Sequence, residues 1–311
     1  MRYLCIGEPL VEFTARRDAP STFDRRAGGD TLNSAIYLAR LLPPGSVGYL
    51  SRLGDDAMSI WLRNVMTTEG ISDLCSTEAG GRPGLSFIST DARGERSSLY
   101  WREQAPARRM FLNGGDARDA VANAGTVLLS GITLAILEPE SREQLFRALE
   151  QRSGAGGRIV LDTNYRPALW PDVATAQAVI GRAASLASLI LPSLDDLAGC
   201  FGATDSAAAM NALTSLGGAE IALTTGGGEV MYRPPGQDAI QTYPLPPMVA
   251  AVDTTGAGDS FNAGWLVARD AGLPPDRAVA LAAQLASVVV THPGAVIPRD
   301  AMPDLGLRIS A

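Results

Sequence analysis

Short apolar runs recur along this chain at 3–6, 47–50, 127–129, 159–161, 189–191 and 221–223, and longer amphipathic stretches separate them. The runs read as buried strands. The stretches between them carry helical spacing at 31–42, 59–66 and 141–151, where Leu145, Phe146 and Leu149 share a face, and again at 174–187, 207–216, 260–270 and 276–291. This alternation predicts an α/β fold: a mostly parallel sheet covered by helices on both sides. With 311 residues, 46% of them apolar, the chain can bury a large core as a single domain over 1–311, without disulfides or metals.

Two segments depart from the rhythm. Residues 12–27 are polar and show no helical face. Residues 85–102 read as a strand, a turn through Asp91-Ala92-Arg93-Gly94-Glu95-Arg96 and a returning strand. Segments of about 8–27 and 82–103 are therefore expected to form a small β-sheet lid inserted in the α/β core. An edge hairpin without a lid role fits the same pattern.

Charge narrows the partners. There are 26 basic and 33 acidic residues, for a net charge of −7, and all 26 basic residues are arginine. A broad nucleic-acid footprint needs a basic face, so no nucleic acid is expected; one anionic ligand held by a few arginines is compatible. Without lysine, Schiff-base chemistry and the Walker A loop are excluded. Cys5, Cys75 and Cys200 are far apart in sequence. This predicts free thiols in a reducing, cytoplasmic compartment and no structural zinc. His292 is the only histidine, which disfavours a His-rich metal site and a Ser-His-Asp triad. Glu8 interrupts the N-terminal apolar run too early for a signal-peptide core, and no run of about 18 uncharged apolar residues predicts a membrane span.

The chemistry concentrates at 249–267. An apolar, strand-like lead ends at Asp253, a loop containing Gly256 and Gly258 follows, and a helical pattern starts near Asp259. Glycines ahead of a helix let free amides approach a ligand, and the helix dipole favours negative charge there. Asp259 stands in the mouth of this anion hole. It either accepts a proton from an attacking hydroxyl or caps the helix.

Three further stretches are candidates. Gly28-Gly29-Asp30-Thr31-Leu32-Asn33 opens the first long helix, with Asp30 and Asn33 on its first turn, facing sugar hydroxyls or serving only as a helix start. Asp162-Thr163-Asn164-Tyr165-Arg166-Pro167 follows a strand, and open α/β sheets bind ligands at the carboxyl ends of strands. Arg166 offers forked donors to a carboxylate or phosphate, or makes a surface ion pair. Thr224-Thr225-Gly226-Gly227-Gly228 is a nucleotide-facing loop or a hairpin turn into a strand at 229–233.

In this order, these sites resemble the ribokinase-like (PfkB) carbohydrate kinases. The stretch Asp253-Thr254-Thr255-Gly256-Ala257-Gly258-Asp259-Ser260-Phe261 is similar to that family's C-terminal signature, and Gly28-Gly29 with Asn33 to its N-terminal one. Other segments resemble the branch that phosphorylates 2-keto-3-deoxygluconate: Arg82-Pro83-Gly84-Leu85, Gly94-Glu95-Arg96, Tyr100-Trp101-Arg102, Leu129-Ser130-Gly131-Ile132, Leu169-Trp170, and Gly294-Ala295 with Ile297-Pro298-Arg299.

The resemblance implies a ribokinase-like sheet with a lid, and transfer from ATP, with Mg²⁺, to the sugar acid's 6-hydroxyl. It makes Asp259 the base and gives the amides of Gly256, Ala257 and Gly258 the phosphoryl charge. Gly29, Asp30, Asn33, Phe87, Tyr100, Arg102 and Arg166 would surround the sugar and its carboxylate. Asn164, Ser193, Thr225, Gly226, Gly228, Gly256 and Gly258 would contact ATP, and Asp196 would act on the metal through water. A homo-oligomer, a dimer or larger, is also implied. The chain departs from the family pattern at three places. Ser193-Leu194-Asp195-Asp196 replaces an Asn-x-x-Glu, Thr225-Gly226-Gly227 a Lys-x-Gly, and Phe87 a substrate-facing tyrosine.

Two alternatives accompany this reading: a kinase of another sugar (fructose, ribose or the galacto epimer), and a sugar- or nucleotide-binding protein without catalysis. An arginine pair favours an acid, because a buried carboxylate needs cationic partners, and a mere binder has no use for Asp259. A dehydrogenase fits poorly, since Phe261 stands where a dinucleotide fingerprint needs a small residue.

Overall fold

Alternate residues of the first strand, Tyr3–Ile6, enter two different cores, Tyr3 and Cys5 on one side and Leu4 and Ile6 on the other. The same split runs through Leu189–Leu191, where Ile190 faces away from Leu189 and Leu191. A strand buried on both faces shows no polar alternation, which is why these segments read as continuous apolar runs. The computed structural model describes residues 1–16, 19, 21–90, 96–247 and 249–307. Among them, nine strands form the main sheet. Glu220–Thr224, Leu189–Leu191, Arg158–Asp162, Thr126–Ser130, Tyr3–Ile6, Val47–Leu50 and Ser72–Asp73 lie side by side, all parallel. Glu229–Arg233 and Gln241–Pro244 add an antiparallel edge.

Helices cover both faces. Asp30–Leu41, Ala57–Thr68, Ala257–Asp270 and Pro275–Val289 bury Leu32, Leu62, Trp265 and Leu285 in one core. Pro139–Gly154, Val173–Leu186 and Ser206–Thr214 bury Leu145, Ile180 and Met210 in the other. Several helices start on side-chain caps. Asp56 accepts from the Met58 amide at 2.8 Å, and Asp172 from that of Thr175 at 2.7 Å. The Asp30–Leu41 and Ala257–Asp270 helices instead start on Gly29 and Gly256, with no side-chain cap, so their first amides stay available.

A second sheet of four strands has the order Phe23–Gly28, Leu10–Ala15, Leu85–Thr90, Arg96–Trp101. Both segments expected to leave the main sheet are in it, and the polar stretch 12–27 is largely a hairpin. The turn at 91–95, with Gly94 and Glu95 of one quoted motif, lies outside the described residues, as do 17, 18 and 20. This sheet is tied to the core by Arg25, whose guanidinium stands 4.2 Å from the Trp61 ring, and by Arg26, which donates to the Pro293 carbonyl.

The structure differs from the sequence reading in two further respects. The lead at 249–252 is not a strand: Val249 and Val252 are exposed, and the Val252 and Asp253 amides bond to Val290 O at 2.8 and 3.1 Å. Three short helices went unread: Gly115–Asn123, Gly131–Ile136 and Leu194–Phe201. The first buries only Val121, so it has no apolar stripe, and the second, at six residues, is too short to repeat one; the third does carry Leu194, Leu197 and Phe201 on one face.

Candidate active site

The carboxyl ends of the parallel strands open into one cleft with two halves. The first is a polar cavity of about 500 Å³, lined by Glu8, Asn33, Arg102, Asp162, Arg166 and Asp259 among others. The second is an apolar cavity of about 520 Å³, walled by Leu245, Pro246, Val249, Phe261 and Ala286. Ser193, Thr224 and Gly258 border both.

Gly258 lies in the first turn of the Ala257–Asp270 helix. Gly256 is its N-cap at φ 78°, in the left-handed region, and a Cβ there would stand 2.8 Å from Ala295 Cα and collide with the Ala295 carbonyl oxygen. The loop is braced by Asp253. Its Oδ1 accepts from the Thr255 amide at 3.0 Å and hydroxyl at 2.7 Å, and its Oδ2 from the Gly294 amide at 2.8 Å. Asp253 therefore shapes the loop. The Ala257 amide bonds to Thr254 O at 3.3 Å. Among the described residues the Gly256 and Gly258 amides have no partner, so the anion hole rests on these two rather than on all three.

Asp259 sits at the third position of this helix and caps nothing. The Asp30–Leu41 helix packs against it and supplies its partners: Asn33 Nδ2 donates to Asp259 Oδ2 at 2.8 Å, and Ser34 Oγ to its backbone oxygen at 3.2 Å. Asn33 Oδ1 is buried without a partner among the described residues. Burial pushes the Asp259 carboxyl up to about 8. The Asp30 charge adds to this, and the Asn33 hydrogen bond and the Arg166 charge oppose it. The result is a carboxyl that titrates near neutrality beside an anion hole.

Other carboxylates ring the polar half. Asp30 Oδ2 accepts from Asn164 Nδ2 at 2.8 Å. Asp162 accepts from Asn262 Nδ2 at 2.9 Å and the Asn164 amide at 3.1 Å, and burial, with Asp196 and Asp259 nearby, holds it well above the usual range. Asp196 Oδ2 accepts from Thr163 Oγ1 at 3.0 Å, and its Oδ1 meets Arg166 Nη1 at 3.4 Å. Burial raises Asp196 too.

Both arginines are already paired. Arg166 is 56% exposed and, among the described residues, reaches only Asp196 and the Tyr165 carbonyl, so its forked donors are partly free. Arg102 is buried, and its Nη2 binds Glu8 Oε2. Its guanidinium also lies 5.5 Å from the centre of the Tyr100 ring, which lines the same cavity.

Three expected site residues are not brought to the cleft. Phe87 stacks on Phe13, with ring centroids 5.3 Å apart, and meets Phe23 edge-on, so it serves the small sheet's own packing. Thr225 Oγ1 is used inside a hairpin turn, accepting from the Glu229 amide at 3.0 Å and donating to the Glu229 carbonyl at 2.9 Å. Gly228 does not border either cavity; Gly226 and Gly227 do border the apolar one, so this segment is both turn and wall. Asn164 faces the polar half, and the Ser193 hydroxyl caps the Leu194–Phe201 helix through the Asp196 amide at 3.1 Å. The sequence reading passed over Glu8, Asp162 as a site residue, and Asn262. The strand-end rule, applied to the first strand, would have found Glu8.

A family model described as pfkB family carbohydrate kinase matches residues 2–302. The 2-dehydro-3-deoxygluconokinase of Escherichia coli K12 is 33% identical over 304 residues, covering 96% of this chain and 97% of that protein. The fructokinase of Klebsiella pneumoniae is 31% identical over 283 residues, covering 90% and 88%. The crystal structure of a fructokinase with bound ATP from Xylella fastidiosa superposes with a TM-score of 0.80 at 25% identity, covering 98% of this chain and 96% of that one.

Proposed function

Because the chain belongs to the pfkB family and is a ribokinase-like sugar kinase, we propose that it transfers the γ-phosphoryl group of ATP to the 6-hydroxyl of 2-keto-3-deoxygluconate. One observation carries this reading. Asp259, a carboxyl titrating near neutrality, shares a single cavity with two unpartnered amides and with arginines from opposite walls. The sugar acid occupies the polar half, its 6-hydroxyl toward Asp259 and its carboxylate toward Arg166, Arg102 and Tyr100. The apolar half suits an adenine ring, and Gly258 at the junction puts the phosphates at the helix N-terminus.

Asp259 takes the hydroxyl proton as the oxygen attacks, and the Gly256 and Gly258 amides stabilise the charge on the transferring group. Magnesium fits as a hydrated ion on the phosphates. Asp195 and Asp196 are hard oxygen donors bordering the polar cavity, and Asp196 would hold the ion through water. Such an ion neutralises phosphate charge. We also propose that the four-stranded sheet acts as a lid, since Tyr100 and Arg102, at its last strand and just beyond, reach the cavity. Among the described residues no helix is long and apolar enough to cross a membrane.

A second reading, a kinase of a neutral sugar, draws on the pairing of both arginines, which leaves each neutralised without a substrate carboxylate. The relative from Klebsiella pneumoniae bears the name fructokinase. Turnover of a sugar panel with ATP decides. The sugar acid is expected to give the highest kcat/KM, and faster phosphorylation of fructose or ribose would overturn the acid assignment.

Two variants probe the site further. Arg166→Ala is expected to raise KM for the acid more than it lowers kcat, because it removes a contact made in the ground state. An unchanged KM would take Arg166 out of the carboxylate subsite. The base must be ionised to act, so kcat/KM is expected to rise with pH up to about 8 and to level off above it. In Asn33→Ala the loss of a hydrogen bond to the ionised form moves that limb to higher pH. A limb unmoved in that variant would show that Asn33 does not tune the base.

A further inference from the structure

Glu8 follows the first strand at the floor of the polar cavity, with a side chain 2% exposed. Its Oε2 binds Arg102 Nη2, while its Oε1 is buried with no partner among the described residues, close to where a Cβ on Gly84 would stand. Arg102 Nε is likewise buried and unpaired. The pair is thus held by one hydrogen bond, with an open donor on one side and an open acceptor on the other. This is half the bonding that a carboxylate and a guanidinium make face to face.

This inference rests on the acid-substrate reading. A sugar carboxylate entering beside Arg102 places a second anion on a buried cation that Glu8 already neutralises. Desolvation of an excess negative charge is costly, and a carboxylate relieves it by taking up a proton. We propose that Glu8 is a counter-ion the substrate displaces: the sugar carboxylate takes Arg102, and Glu8 accepts one proton from solvent as it gives the arginine up. The overall charge of the buried site is then unchanged by binding. A neutral sugar cannot bring about the exchange and meets an arginine whose charge Glu8 already balances, so Glu8 also selects for an acid.

The groups facing Glu8 bear this out in sign. Burial raises its carboxyl, Arg102 and Arg108 lower it, and Asp30 raises it. Removing the Arg102 contribution leaves burial and Asp30 acting together toward protonation against Arg108 alone. The proton need not come from the base, since Asp259 is engaged by Asn33.

Calorimetric titration of 2-keto-3-deoxygluconate into the enzyme without nucleotide, in two buffers of different ionisation enthalpy, reads the exchange. Wild type is expected to take up about one proton per site near neutral pH. The same sugar with its carboxyl reduced to an alcohol should bind with no uptake. Uptake should persist in Asp259→Asn and vanish in Glu8→Gln. Acid binding without proton uptake in wild type overturns the proposal with no variant needed, and so does uptake that survives in Glu8→Gln. If wild type fails to bind the acid yet phosphorylates neutral sugars, the substrate reading itself is at fault.

Discussion

Asp259→Asn is expected to lower kcat by about 10²- to 10⁴-fold, or about 3 to 5 kcal/mol of barrier, while the sugar acid still binds. The substitution keeps the shape of the side chain. Asn33 can still donate to the remaining carbonyl oxygen of residue 259, and Ser34 still anchors its backbone. What is lost is the ionisable oxygen pair on the first turn of the helix that carries the Gly258 amide. Neighbouring carboxyls cannot take over, because Asp162 is committed to Asn262 and to the Asn164 amide, and Asp30 to the Asn164 side chain. Removing one carboxylate from an acidic cleft also relieves repulsion of ATP and of the acid, so KM values should hold or fall. Steady-state kinetics paired with calorimetry separate the two effects. A variant retaining near-wild-type kcat would show that the acceptor hydroxyl loses its proton without Asp259, and the mechanism proposed here would fail.

The buried strands could be anticipated and the charge network could not, for one physical reason. A strand buried on both faces writes its character into consecutive residues, so Tyr3–Ile6 and Leu189–Leu191 are legible at their observed bounds. Gly256 of the anion hole is legible too, since its left-handed backbone excludes other residues. Polar partnerships are different. That Asn33 meets Asp259, and Glu8 meets Arg102, depends on elements 226 and 94 residues apart in sequence coming together. In sequence, a first-turn amide at Asn33 is free to meet a sugar hydroxyl or simply to start the helix. Packing of the Asp30–Leu41 helix against the Ala257–Asp270 helix instead gives its nitrogen to the base and leaves only its oxygen unpartnered. Phe87 failed for a related cause: on a strand, the face a residue takes is set by register. The pairing of Phe13 with Phe87 turns that ring toward Phe13 and Phe23.

The two glycines of the anion hole should respond to alanine in opposite ways. Gly256→Ala is expected to destabilise the loop and to cost about 10²- to 10³-fold in kcat, the size of losing one donor to a developing anion. Two strains combine there. The φ of 78° costs an L-residue about 1 to 2 kcal/mol, and the new methyl meets backbone at Ala295, which cannot rotate away as a side chain could. The loop must shift, and the Gly256 and Gly258 amides shift with it. Gly258→Ala faces neither obstacle, because it is inside the helix and, among the described residues beyond its chain neighbours and its own helix backbone, no atom comes within 4 Å of the added Cβ. Alanine is the better helix former, so this variant should melt at or slightly above the wild-type temperature. Its methyl projects into the open space at the junction of the two cavities, where the proposal puts the phosphates, so KM for ATP should rise while the sugar acid binds normally. Thermal melts and nucleotide kinetics on the pair test both halves of the claim. A Gly256→Ala enzyme with unchanged melting temperature and kcat would show that the loop relaxes freely around Ala295. A Gly258→Ala enzyme with unchanged KM for ATP would show that the phosphates do not pass over this turn of the helix.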